Sequence, residues 1–296
     1  MLRSQLKTTH FFLVIFLLLL PMNMVLAEDL DHVLENGTLR HLGIPYANFV
    51  HSNHSGLDVE LMKGFAKHLG VKYKFVESSW ATIIPDLTGK KVVAKGNDVE
   101  ILGDSPVRGD VIATGFTTLP WREKIVTFSR PTFPSGIWVI SRADSDLTPV
   151  SGTDSVDEEI AQVKTKLKNH SLLAMGDSCL APELYGLKNV GVDLKMFDSD
   201  RDLGEMIPAV MARMADATLM DVPVALIALE DWPGDIKVIG PVSPTQYMGC
   251  AFAKDSPRLV AAFNAYLDGL FASGAYQKMV KKYYPTVFSY YDDFFR

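Results

Sequence analysis

"GDVIATGFTTLPWREKIVTFSRPTFPSGIWV", residues 109–139, holds the reading that decides the fold. Its first part, "GDVIATGF", is a buried strand that runs into a glycine–hydroxyl turn of Gly115, Thr117 and Thr118. Arg122 and an alternating β-like run follow, and then a Pro/Gly break, "PTFPSG", at residues 131–136. In open α/β sheets ligands lie beyond the carboxyl ends of the strands. The guanidinium of Arg122 at such an end is therefore either a solvated surface charge or a planar fork set to grip a carboxylate. The break at 131–136 divides the chain into two units.

Upstream of the break the pattern alternates between period 2 and period 3.6. "TLRHLGIPY" and "VKYKFVES" read as strands, and "GLDVELMKGFAKHLG" as an amphipathic helix with Leu57, Leu61, Phe65 and Leu69 on one stripe and Gly70 as its stop. "WATIIPDLTG" is a short helix, and "KVVAKGNDVEIL" is a hairpin around Gly96-Asn97. Downstream, the alternation restarts. Helices are expected in "EEIAQVKTKLKNH", "SCLAPELYGLKN", "DLGEMIPAVMARM" and "VPVALIALEDW", with strands in "SLLAMG", "DLKMFD", "DATLMD" and "IKVIGP". "VSPTQYMGCAFA" is a second extended crossing segment, and two helices finish the reading. The expected fold is α/β and two-lobed, with the lobes joined by two strands. Residues 28–131 with 249–296 form lobe one, 137–243 form lobe two, and 132–136 and 244–248 are hinges.

The bulk properties narrow the function. With 296 residues, a net charge of −6 and no basic stripe, the chain is not expected to bind nucleic acid. Residues 1–27 read as a cleavable signal peptide: Arg3 and Lys7 precede a ten-residue apolar run, and Val25-Leu26-Ala27 closes the segment. The mature protein is expected to be soluble and exported, and the expected state is a monomer. Two cysteines, Cys179 and Cys250, allow one disulfide or two thiols.

Candidate site residues lie at the strand ends. Gly115 allows close backbone approach, and Thr117 offers a hydroxyl and an N–H. Asp221, at the end of "ADATLMD", is either a helix N-cap or a carboxylate aimed at an ammonium. Asp177 and Ser178 open another helix, where free N–H groups favour an anion or simply accept caps. Tyr46, Phe49 and Trp80 are core aromatics or a wall for an apolar or planar group. His51 and His54 have metal-like spacing but no third ligand, and a solvated loop is the expectation. No motif for a cofactor, a catalytic nucleophile or a catalytic acid–base pair stands out.

"GLDVELMKGFAKHLGVKYKFVESSWATIIPDL", "DVIATGFTTLPWREKIVTFSRPTF" and "DATLMDVPVAL" resemble the family-3 periplasmic solute-binding proteins of amino-acid ABC transporters. The resemblance, over roughly residues 37–285, implies the type II binding-protein fold. It places a ligand α-carboxylate on Arg122, assisted by Gly115 and Thr117, and an α-ammonium on Asp221. It also places stacking aromatics at Trp80 and Tyr46, further contacts at Ser178 and Cys179, and an ABC permease as partner. Three departures stand out. "LRHLGIPY" lacks the acidic residue that holds a basic side chain in some members, which disfavours basic amino acids. Cys179 stands where a small hydroxyl is common. The segment "KKVVAKGNDVEILGDSPVRG" is longer than usual. An enzyme on the same scaffold, of the cyclohexadienyl dehydratase kind, and a ligand-sensing module for a membrane receptor are the alternatives.

Overall fold

The computed structural model describes residues 29–296 apart from 154, 177 and 198–202. The signal-peptide reading of 1–27 and the anion reading of Asp177 therefore lie outside the described residues. The chain opens with α1 (Asp29–Glu35), β1 (Thr38–Gly43), α2 (Leu57–Leu69), β2 (Lys72–Glu77) and α3 (Ile83–Thr88). A hairpin of β3 (Lys90–Lys95) and β4 (Asp98–Asp104) precedes β5 (Val111–Ile112), α4 (Pro120–Glu123) and β6 (Val126–Phe128). After β7 (Phe133–Ser135) come β8 (Ile137–Arg142), α5 (Val156–Lys166), β9 (Ser171–Met175), β10 (Asp193–Phe197) and α6 (Met206–Met211). Next are β11 (Ala217–Asp221), α7 (Val222–Asp231), β12 (Ile236–Pro241), β13 (Gln246–Met248) and β14 (Ala251–Ala253). Helices α8 (Pro257–Ala272), α9 (Ala275–Tyr283) and α10 (Phe288–Tyr291) follow.

Two five-stranded sheets form the lobes, in the orders β2-β1-β5-β14-β6 and β10-β9-β11-β8-β12. Each has three parallel strands followed by an antiparallel one, β14 in the first sheet and β8 in the second. Those two strands are also the ones that follow a crossing between lobes. β7 leads into β8 and β13 into β14, and β7 and β13 pair antiparallel through Ser135–Gln246, Pro134–Tyr247 and Phe133–Met248. Thr132 N–H donates to the Met248 carbonyl at 2.8 Å, and Val242 N–H donates to that of Ile137 at 2.9 Å, extending the pairing at both ends.

The predicted stripe of α2 is buried at Leu57, Leu61 and Phe65, and its chain reversal is Gly70 in the left-handed region, φ 73°. "PTFPSG", read as a break, contains a paired strand. Pro134 is tolerated because this ribbon has only two strands and a free edge for the residue without an N–H. The helix expected over "SCLAPELYGLKN" is instead two short 3₁₀ turns, Pro182–Tyr185 and Leu187–Asn189. Pro182 can only start such a turn, and Gly186, at φ 64°, ends it. The helix expected over "DLGEMIPAVMARM" is regular only from Met206 to Met211. The hairpin is as expected, turning at Gly96, and it leaves Ile101 and Leu102 exposed.

The crossing pair is anchored by one ring. Phe133 is fully buried and meets Phe49 edge-on at 5.2 Å and Tyr284 at 4.8 Å between centroids. Phe133→Ala is expected to lower unfolding stability by about 3–5 kcal/mol. Urea titration checks this; a loss under about 1 kcal/mol would show that the ring is not what seats the crossing strand.

Candidate functional site

Arg122 lies in the short turn α4 and is buried, with 9% exposure. Its guanidinium sits over the Phe116 ring at 4.0 Å and the Trp121 ring at 5.4 Å, and Nη1 donates to the Thr117 carbonyl at 2.8 Å. Nε is buried and has no protein partner among the described residues. Burial lowers its pKa to about 10, opposed by Cys179 and Tyr185, so the group stays charged at neutral pH. The surface-arginine alternative is therefore excluded. Cys179 and Tyr185 both lie in the segment between β9 and β10 of the second sheet, so the charge of Arg122 is felt by groups carried on that sheet's side of the molecule.

The turn that carries Arg122 is fixed from below. Gly115 adopts φ 60°, and a Cβ there would lie 2.4 Å from the Phe49 ring. Its N–H donates at 2.7 Å to Asp58 Oδ2, from the first turn of α2. Gly115 was expected to offer close approach and an N–H to a ligand; the structure gives that N–H to Asp58, so this part of the expectation is corrected. Asp58 itself is a residue the sequence reading passed over. It sits on the apolar stripe with Met62 and Phe65, and a carboxylate on that stripe was the available signal. Burial raises its pKa to about 7 against the pull of the Gly115 N–H. Nearby, buried His41 bonds Ala113 O through Nε2 at 2.6 Å and Tyr73 Oη through Nδ1 at 2.8 Å. The carbonyl can only accept, so Nε2 carries the proton and the ring ties β1 to the strand end before Gly115. Thr117 is buried, bridges Met248 and holds Arg122 through its carbonyl.

Asp221 ends β11 at the N-cap position of α7, yet its side chain makes no cap hydrogen bond. It is 1% exposed, and neither carboxylate oxygen accepts a hydrogen bond of good geometry among the described residues. Burial raises its pKa to about 7, while the N–H groups of Asp221 and Val224 pull it down less strongly. Val222 N–H donates to the Gly136 carbonyl at 3.0 Å, so this carboxylate is seated beside a crossing strand. Capping does not explain its burial.

The loop after β9 approaches from lobe two. Ser178 Oγ donates to the Met175 carbonyl at 2.9 Å and accepts from Leu180 N–H at 3.0 Å, so its hydroxyl holds its own loop, which is the capping alternative rather than a ligand contact. Tyr185 Oη donates to the Cys179 carbonyl, and Gln246 Nε2 reaches Tyr185 Oη at 3.5 Å. Gln246 Oε1 and Ser135 Oγ, opposite one another on the crossing strands, are buried without a partner among the described residues. Tyr185 and Gln246 left no sequence signal, because their closeness to each other depends on how the lobes pack. Both cysteines are free thiols, and burial raises the Cys179 thiol against the pull of Arg122. Tyr46 is buried and stacks on Phe49 at 6.0 Å, whereas Trp80 is 48% exposed and meets Tyr46 edge-on at 5.5 Å. His51 bonds Ser55 and Asn48 within its own loop, and no His/Cys/Asp/Glu cluster of metal-binding geometry occurs among the described residues.

The chain matches the family "Bacterial extracellular solute-binding proteins, family 3" over residues 43–100 and 107–286. It belongs to this family. The unmatched residues between the two stretches fall in the β3–β4 hairpin and the loop after it. The chain is 26% identical over 245 residues to the lysine/arginine/ornithine-binding periplasmic protein of Escherichia coli, covering 80% of this chain and 81% of that protein. It is 24% identical to the membrane-bound lytic murein transglycosylase F of Desulfosudis oleivorans, where the match covers 80% of this chain but 46% of that protein. The crystal structure of a mutant ArgBP from T. maritima superposes with a TM-score of 0.64 at 25% identity, covering 87% of this chain and 99% of that one. The AncCDT-1 structure, described as a precursor of cyclohexadienyl dehydratase, has a TM-score of 0.64 at 24% identity, covering 86% and 99%, and shares the fold.

As a family-3 binding-protein scaffold, the molecule holds two carboxyls, Asp58 and Asp221, whose folded pKa values exceed their ordinary values of 3.8. The folded state therefore binds more protons than the unfolded state between about pH 4 and pH 7, and stability falls as pH rises through that window. Asp221→Asn is expected to flatten this dependence and to raise stability at pH 8 by about 1–3 kcal/mol. Urea unfolding at pH 5 and pH 8 measures it; a variant less stable than wild type at pH 8 would show that the buried carboxylate has a partner.

Proposed function

We propose that this protein captures a small zwitterion, an α-amino acid, between its lobes, with the carboxylate on Arg122 and the ammonium on Asp221. The observation that supports the reading is the pair itself: opposite charges from opposite lobes, both buried, each with side-chain atoms that no described protein group satisfies. A buried charge without a partner costs several kcal/mol, of order ~3–5, so a ligand supplying both counter-charges would offset a large penalty. Trp80 and Tyr46 form the aromatic side of the cleft in this reading, Thr117 shapes the carboxylate end, and Cys179 and Tyr185 close it from lobe two. Residues 132–136 and 244–248 act as the hinges between lobe one (28–131 with 249–296) and lobe two (137–243). Export to the periplasm and delivery to an ABC permease are part of the same proposal and are supported by family membership; a monomeric state is proposed with them.

The side-chain end favours a neutral, polar amino acid. No acid stands on β1, and the crossing strands bring Gln246, beside Tyr185, and Ser135 as polar groups. Tyr185 gives its proton to the Cys179 carbonyl and can then only accept, so Gln246 turns its NH₂ toward Tyr185 and leaves Oε1 as an acceptor. The relative named for lysine, arginine and ornithine makes the cationic amino acids the comparison to run beside glutamine.

Isothermal titration against an amino-acid panel including L-glutamine and L-arginine tests the function. Arg122→Gln is expected to weaken binding by about tenfold to a hundredfold, the worth of one charge-assisted contact. Absence of heat with every amino acid, or equal affinity in the variant, would sink the reading. A second signature follows from Asp221. At pH 6 much of this carboxyl is protonated, and an ammonium requires it ionised, so binding should release a proton. The measured enthalpy should then vary with the ionisation enthalpy of the buffer, and this variation should vanish at pH 9.

A further inference from the structure

The segment from Phe288 to Phe295 follows the end of the family match at residue 286 and does not simply cover lobe one. Phe295, 3% exposed, packs on Phe133 of β7 at 5.8 Å and on Tyr276 of α9 at 6.5 Å. Phe294 stacks on Tyr247 of β13 at 6.0 Å, and also meets Phe271 of α8 at 6.4 Å. Tyr290 lies against Trp138 of β8, in lobe two, at 5.2 Å. Ring contacts from one short segment thus reach both crossing strands and the first strand of lobe two, while its root is held by lobe-one helices. Tyr290 and Tyr291 also wall a cavity of about 350 Å³ with Gly136, Trp138, Ser243 and Pro244 at the crossing.

We infer that Phe288–Phe295 is an aromatic strap that biases the angle between the lobes. Any rotation of lobe two about the crossing strands must slide Trp138 past Tyr290 and flex Tyr247 under Phe294. The strap therefore favours the arrangement in which Arg122 faces Tyr185 and Cys179, and holds the cleft groups near their working positions before a ligand arrives. Its bearing on affinity rests on the amino-acid reading above; its effect on the crossing strands does not.

The test compares wild type, Tyr290→Ala and Tyr290→Phe without ligand, by amide hydrogen exchange and small-angle X-ray scattering. Tyr290 is about half exposed, so its truncation leaves the core intact. In Tyr290→Ala the amides of Thr132 and Val242 should exchange about three- to tenfold faster, the range expected for one aromatic pair. The radius of gyration should rise, α2 amides should be unchanged, and Tyr290→Phe should match wild type. Equal exchange at Thr132 and Val242 with equal scattering in all three proteins overturns the strap. So does an acceleration shared by α2, which would mark general destabilisation. L-glutamine and L-arginine titrations on wild type are read separately: if neither binds, the cleft reading suffers while the exchange result still decides the strap.

Discussion

The antiparallel pairing of Phe133–Ser135 with Gln246–Met248 is the constraint on which the molecule is built. A chain that leaves one sheet and returns to it must cross the same gap twice. Pairing the two crossings satisfies their backbone groups and sets their relative register. Each crossing then runs straight into the one antiparallel strand of the sheet it enters, β8 or β14. The two lobes are consequently similar in strand order although no short repeat is visible in the sequence. Because Val222 N–H bonds Gly136 O and Thr118 N–H bonds Tyr247 O, the charged strand ends of both lobes are referenced to the same ribbon.

Within that frame, each charge is placed by a different device. Arg122 is clamped by aromatic faces and one carbonyl, on a turn that only glycine at 115 can make while Phe49 occupies the space where a Cβ would go. Asp221 is placed by its strand end and left without a cap bond, which keeps a buried carboxyl poised near neutrality. Membership of solute-binding family 3 is consistent with both. The transglycosylase relative is a longer protein, of which this chain spans about half.

Most of the fold was legible because the local signals were strong. The α2 stripe with its Gly70 reversal, the Gly96-Asn97 turn and the restart of βα alternation after residue 136 each depend on neighbours in sequence. The burial of Arg122 and Asp221 at strand ends could be anticipated for a related reason: strand ends can be read locally, and charged residues there are few. What failed was context. Ser178 and the Gly115 N–H are polar groups at strand ends too, but the first holds its own loop and the second is claimed by Asp58, 57 positions away. Tyr185 and Gln246 come together only after two lobes have folded and met. The pairing of the "PTFPSG" crossing segment was hidden because its partner strand lies more than 100 residues on.

The bond from Gly115 N–H to Asp58 carries a consequence for how this protein can drift. Asp58 belongs to the first turn of a core helix, whose same stripe rests further along on Phe263 and Tyr266 through Phe65. Substitutions in that interior, remote from any solute, would tilt the carboxylate and with it the arginine's perch. Under the proposed reading of Arg122, affinity and interior packing would be inherited together, and solute range could be retuned from inside the first lobe without touching a cleft residue.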